Sequence, residues 1–120
     1  MRERFLNEFV AAYLQCGLWT CCDEDGEPLD GLYTPNDVTE QTVKQVREEC
    51  RQFIEANARW LEGEDPARAG HDFYLTRNRH GAGFWDGDYQ PEQGKALTEA
   101  AHVWGEAYFV ANDSGEVELM

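Results

Sequence analysis

HDFYLTRNRHGAGFWDGD, residues 71–88, holds two histidines, two arginines, an asparagine, three acids and three glycines. Such polar density is either a reaction centre or a piece of architecture, and the choice decides the fold. Phe73, Leu75 and Arg77 alternate with Asp72, Tyr74 and Thr76, which reads as a half-buried strand, and Phe84 with Trp85 suits a second one. Asn78, Arg79, His80 and Gly81 then form the turn of a β-hairpin. Gly81 and Gly83 permit positive φ or the close approach of another backbone. On this reading Arg77 is half-buried and bridges to a carboxylate such as Asp86. Asn78 and His80 hold the turn, and Trp85 fills the core.

The catalytic reading of the same residues makes His71 or His80 a general base, oriented by Asp72 or Asp86, with Arg77 stabilising an anion. A strand's alternation puts Asp72 and Arg77 on opposite faces, and no serine or cysteine nucleophile lies nearby. A structural hydrogen-bond network is therefore the expectation, and no catalytic residue, cofactor or metal is assigned. The alternative is a small hydrolase, or a ligand- or metal-binding protein using His71, Asp72 and His80, centred on residues 71–86.

Upstream, Phe5, Leu6, Phe9, Val10, Tyr13 and Leu14 recur with helical spacing, and Gly17 supplies a stop. Gly26, Pro28, Gly31 and Pro35 make residues 21–37 a loop. It is pinned to the body by Leu29, Leu32 and Tyr33. A second helix starts near Thr39, with Asp37 or Thr39 as N-cap and Glu40 in the first turn, where negative charge favours the dipole. Its stripe is Val43, Val46, Cys50, Phe53, Ile54, Trp60 and Leu61. Glu40, Glu48, Glu49, Glu55 and Glu62 face Lys44, Arg47, Arg51 and Arg59 as an ordinary solvated surface of pairs three and four apart. Gly63 and Pro66 end it. Pro91 opens a third helix, with Ala96, Leu97, Ala100, Val103 and Trp104 inward and Gly105 closing it. Two short strands around Asn112, Asp113, Ser114 and Gly115 make a last hairpin. The order helix, acidic loop, helix, hairpin, helix, hairpin is that of a single α+β domain, its helices packed on a small antiparallel sheet.

Charge is the strongest signal in the 120 residues: ten basic against 24 acidic side chains, a net of −14. The acid is segregated, for residues 23–37 carry six carboxylates and no base, whereas 66–85 is net positive. Such a chain repels nucleic acid and membrane surfaces and is steered toward basic proteins at rates that fall with salt. Duplex DNA carries one charge per about 1.7 Å of axis, and six carboxylates in a flat fifteen-residue loop approach that density. Asp23, Glu24, Asp25, Glu27 and Asp30 are the expected contacts, joined by Asp37. A secondary acidic cluster, Asp86, Asp88, Glu92, Asp113, Glu116 and Glu118, adds to them if folding brings it alongside.

No run reaches the roughly 20 apolar residues of a membrane span, and MRERFLNEF lacks the apolar block of a secretory signal. A soluble protein of the cytoplasm is expected. Cys16, Cys21, Cys22 and Cys50 are then free thiols, since Cys21 and Cys22 are adjacent and His71, His80 and His102 follow no zinc-finger spacing.

Three segments carry a resemblance: FVAAYLQCGLW at Phe9 to Trp19, GEPLD at Gly26 to Asp30, and HDFYLTRNRHGAGFWD at His71 to Asp86. They resemble a family of small acidic proteins of bacteriophages and other mobile elements, with the signatures FxxAYxxCxLW, GEPLD and HDF(W/Y)LTRNxHGAGFWD. Arg79 departs from the pattern, glycine being commoner there. The resemblance makes His71, Asp72, Arg77, Asn78, His80, Gly81, Gly83 and Trp85 the structural signature, and it implies a setting more than a reaction. Phage-borne acidic proteins often disarm host defence in an anti-CRISPR or anti-restriction role, some by imitating DNA phosphates with carboxylates. The function expected is such a non-enzymatic inhibitor, acting in the host bacterial cell. It binds the basic surface of a host nucleic-acid-binding protein or of a CRISPR or restriction complex, not nucleic acid or membrane directly. A phage accessory protein with no defence role is a further alternative.

Overall fold

A computed structural model describes residues 2–120. It orders them as α1 (Glu3–Thr20), α2 (Glu40–Ala56), α3 (Ala58–Leu61), α4 (Pro66–Arg77), α5 (Pro91–Val103), β1 (Phe109–Ala111) and β2 (Val117–Leu119), with short 3-10 turns at Leu29–Gly31 and Pro35–Asp37. The class is α+β, as expected, and the last hairpin stands: β1 and β2 pair antiparallel with Val110 opposite Glu118. Its turn is set by Asn112 Oδ1, which accepts from the amides of Ser114 (2.9 Å) and Glu116 (3.0 Å), and by Gly115 at φ +80°.

The hairpin expected over residues 71–85 is absent: residues 71–77 belong to α4, and 78–90 form an irregular loop. The start signal is Asp65-Pro66. Asp65 accepts from the Ala67 amide at 3.2 Å as N-cap, and Pro66 fills the first turn, where its missing N–H costs nothing. Read with Gly63 as the end of the preceding helix, Pro66 conceals the start of the next. The alternation misleads because the second half of α4 is enclosed on all sides, with every residue from Asp72 to Asn78 buried. A helix without a solvent face shows no helical period.

Two glycines let α1 lie close to its neighbours, α4 and β1. A Cβ on Gly70 would stand 2.1 Å from the Phe9 carbonyl oxygen of α1, so the helix backbones touch there. Gly17 is not a stop; it lies inside α1, where a Cβ would meet the Phe109 ring at 2.0 Å. Gly70→Ala is expected to cost more than the 1–3 kcal/mol typical of overpacking, because rigid backbone opposes the new methyl, and Gly17→Ala less, since a ring can tilt. Urea unfolding of both variants checks the order.

The core is an aromatic stack between these elements. Phe53 of α2 lies on Phe73 of α4 with centroids 4.0 Å apart, and Phe9, Tyr13, Tyr74 and Phe109 extend the cluster. The sheet therefore closes one side of a helical core rather than serving as its platform. Thr39 caps α2, accepting from the Thr42 amide, and Asn57 separates α2 from the single turn α3 where one longer helix was expected. In α5 the buried positions are Gly94, Leu97 and Ala101. Val103, expected inward, is 87 % exposed because it falls off that face. Of the four glycines and prolines that make residues 21–37 a loop, Pro28 bridges to Cys22, and Leu29 is buried as the pin. Leu32, the expected second pin, is instead 61 % exposed. The radius of gyration, 14.0 Å, is near the roughly 13.6 Å of one compact domain of this length.

Candidate functional site

The signature residues surround α4 and are mostly consumed by the fold. Arg77 donates to Glu49 Oε1 (2.6 Å), to Tyr13 Oη (3.2 Å) and to the carbonyls of Gly105 (2.9 Å) and Trp104 (3.2 Å). Its carboxylate partner is thus Glu49 of α2, not Asp86, and Glu49 is no ordinary solvated residue. A helical α4 aims Arg77 at α2 and α5, away from the loop that holds Asp86. Burial works against the guanidinium charge, but the Tyr13 and Glu49 oxygens more than offset it, so its pKa stands raised. Arg77 is more deeply buried than the half-buried position expected of it.

Asn78 is a clamp: Nδ2 donates to the Tyr74 carbonyl (3.0 Å), and Oδ1 accepts from the Ala107 amide (2.7 Å), fixing the approach to β1. Gly83 shows the close approach expected of it, since at φ +150° a Cβ would stand 2.2 Å from Thr76 Oγ1. Gly81 shows neither role, having φ outside the left-handed region and open space around it. The left-handed residue is Arg79, at φ +57°. Glycine would adopt that conformation without strain, whereas arginine does so at a cost. Trp85 does not fill the core; it is 53 % exposed.

The histidines do not meet a carboxylate. His71 stacks on Trp19 with centroids 6.0 Å apart and His80 on Tyr74 at 6.2 Å, its Nε2 buried with no partner among the described residues. Asp86 Oδ2 accepts from the Gly83 amide (3.2 Å), and Asp72 Oδ2 from Tyr89 Oη (2.8 Å). Among the described residues no imidazole–carboxylate hydrogen bond joins the catalytic candidates. Nor do three or more His, Cys, Asp or Glu gather as metal ligands there. Asp72 and Arg77 do not lie on the opposite faces of a strand expected of them but are both buried on one helix. The four cysteines are unpaired, and burial pushes the Cys16 thiol up to about 12.

Asp72 is the costly member of this network. It is 6 % exposed, and burial raises its pKa, partly countered by the Tyr89 hydrogen bond and reinforced by Asp86 and Asp88. A folded-state pKa above the unfolded one favours folding below the unfolded pKa, and that contribution is lost as pH rises through the folded value. Asp72→Asn keeps an acceptor for Tyr89 and removes the buried charge. We expect it to raise the melting temperature by a few degrees at pH 7 and by little at pH 3, as read by thermal scans at both.

The acidic loop is ordered by its own carboxylates. Asp23 Oδ1 accepts from the amides of Asp25 (2.9 Å) and Glu27 (3.0 Å), and Asp37 Oδ2 from the Thr34 amide (2.8 Å). Glu24, Asp25, Glu27 and Asp30 are exposed, and among the described residues their side chains make no hydrogen bond or ion pair. Asp23, Glu24 and Asp25 share a groove of about 440 Å³ with Val110, Asn112 and Asp113 of the hairpin. The secondary cluster is thereby divided. Asp113 joins the loop, and Glu118 accepts from Asn112 Nδ2 (3.0 Å). Glu116 is exposed on the turn. Asp86, Asp88 and Glu92 lie on the loop and first turn of α5.

Comparison of the chain with protein-family models, curated proteins and solved structures gives no match. Function is therefore read from the residues themselves. Sequence reading missed Glu49 and Tyr89. Glu49 had a signal, an acid beside buried Cys50 in the helix stripe; the Asp72–Tyr89 bond, made across a loop of irregular backbone, had none. Among the described residues no helix is long and apolar enough to cross a membrane.

Proposed function

We propose that the chain is a non-enzymatic inhibitor that occupies the basic, nucleic-acid-binding surface of a host protein. A CRISPR or restriction complex is the foremost class, in keeping with the resemblance to phage-borne acidic proteins. The observation that carries this reading is the acidic loop: a net charge of −6 over residues 23–37 on backbone pinned by Leu29, by the Cys22–Pro28 bridge and by two capping aspartates. A loop ordered before binding loses little entropy on capture, so its charge is available for affinity as well as for steering. Arg77 and Asn78 of the signature support the same division of labour, because their polar groups are engaged within the fold.

Affinity capture from a bacterial lysate tests it. The expected result is a nucleic-acid-binding protein retained at low salt and released as salt rises. Retention of no such protein, or release insensitive to salt, contradicts the reading.

A second reading, a small hydrolase or ligand-binding site around residues 71–86, draws on Asp72, since a buried carboxyl of raised pKa with a specific partner is a common feature of active sites. Under the inhibitor reading Asp72→Asn and His80→Ala capture the partner as the parent does. Loss of activity in a folded His80→Ala variant favours the second.

A further inference from the structure

Pro91, Gly94, Lys95, Thr98 and Glu99 recur every three or four residues on α5 and so share one face. The loop that follows Gly83 lies against this face and is firmly held. Phe84 donates its amide to Thr76 Oγ1 (3.0 Å), Tyr89 donates to Asp72 (2.8 Å), and Gly94 packs so tightly that a Cβ would stand 2.7 Å from the Phe84 carbonyl oxygen. Between loop and helix runs a groove of about 850 Å³, within the usual range for ligand clefts.

Its chemistry is specific. Trp85, 53 % exposed, and buried Phe84 both line the groove. Asp88 and Glu99 are exposed carboxylates that make no hydrogen bond or ion pair among the described residues, and Lys95 is the one cation in the lining. An aromatic face beside two carboxylates is complementary to a flat organic cation. A phosphate-bearing ligand meets surplus negative charge there, within a chain of net −14.

We propose that this groove receives an arginine side chain of the partner protein, its guanidinium stacked on Trp85 and hydrogen-bonded to Asp88 and Glu99. Arginine fits better than lysine, because its planar fork both stacks on an indole and bonds carboxylates in pairs. The inference rests on the basic partner proposed above and supplies a second, side-chain-specific point of recognition away from residues 23–37.

The test uses a small probe on the whole chain. N-acetyl-arginine amide is titrated while the indole N–H signals of the tryptophans are followed by NMR, Trp85 being assigned with Trp85→Phe. The lysine amide and the uncharged citrulline amide serve as controls. The expected result is a saturable shift at Trp85 with a Kd of roughly millimolar order, several-fold weaker with lysine and absent with citrulline. Asp88→Asn with Glu99→Gln is expected to weaken it at least fivefold without lowering the melting temperature. An equal response to citrulline, a response confined to Trp19, or no saturable shift overturns the proposal. The variant Glu24→Gln/Asp25→Asn/Glu27→Gln/Asp30→Asn must bind the probe like the parent, so the groove and the acidic loop fail or stand separately.

Discussion

Arg77→Ala is expected to leave a chain that does not fold at physiological temperature. The substitution removes one guanidinium and strands four groups at once: the Glu49 carboxylate, the Tyr13 hydroxyl and the carbonyls of Trp104 and Gly105. Removing one partner of a buried pair costs about 3–5 kcal/mol, against a total of about 5–15 kcal/mol for an ordinary domain. Arg77 also lies over the Phe73 ring at 5.6 Å and the Trp104 ring at 5.8 Å, so packing is lost with the charge. Circular dichroism and urea unfolding read the effect. Replacing both partners, Arg77→Met with Glu49→Met, is expected to recover much of the loss, because no charge is then left without its partner. An Arg77→Ala chain that is folded and as stable as the parent, but has lost function, would make residues 71–88 a site instead of a scaffold.

The second large effect is expected on binding with stability unchanged. Glu24, Asp25, Glu27 and Asp30 are the loop carboxylates that make no hydrogen bond or ion pair among the described residues. Converting all four to amides is expected to weaken partner capture at least tenfold, about 1.4 kcal/mol, and to flatten its salt dependence. The melting temperature should hold or rise slightly, since like charges are being removed. Asp23 and Asp37 are left in place because each accepts backbone N–H groups. Asp23→Ala loses a turn cap at a cost of about 1 kcal/mol, so it mixes stability with binding. Binding by the fourfold variant equal to that of the parent removes the loop from recognition.

Legibility in the sequence followed the distance over which each feature is decided. Capping and turn chemistry are local: Thr39, Pro91, Gly105 and the Asn112–Gly115 turn stand where they were read. The broad stripe of α1 and that of α2 were legible because one side of each helix faces water. Enclosed on every side from Asp72 onward, α4 offers no such contrast there, and its buried polar residues Asp72, Thr76 and Arg77 imitate a strand's alternation. The true clue was the pair Asp65-Pro66. The partner of Arg77 was out of reach for a related reason, since a hairpin would have kept Asp86 near while the helix turns Arg77 toward α2. The acidic loop was read correctly as ordered. The use of Asp23 and Asp37 as caps, which separates structural from free carboxylates, required the geometry.

The most direct measurement of the central claim is competition between the chain and duplex DNA for the captured partner. Affinity is determined over a range of salt concentrations, with and without DNA. A partner held through its nucleic-acid surface is expected to bind one or the other, with affinity for the chain falling steeply as salt rises. A ternary complex of chain, partner and DNA, or an affinity indifferent to salt, would contradict the account.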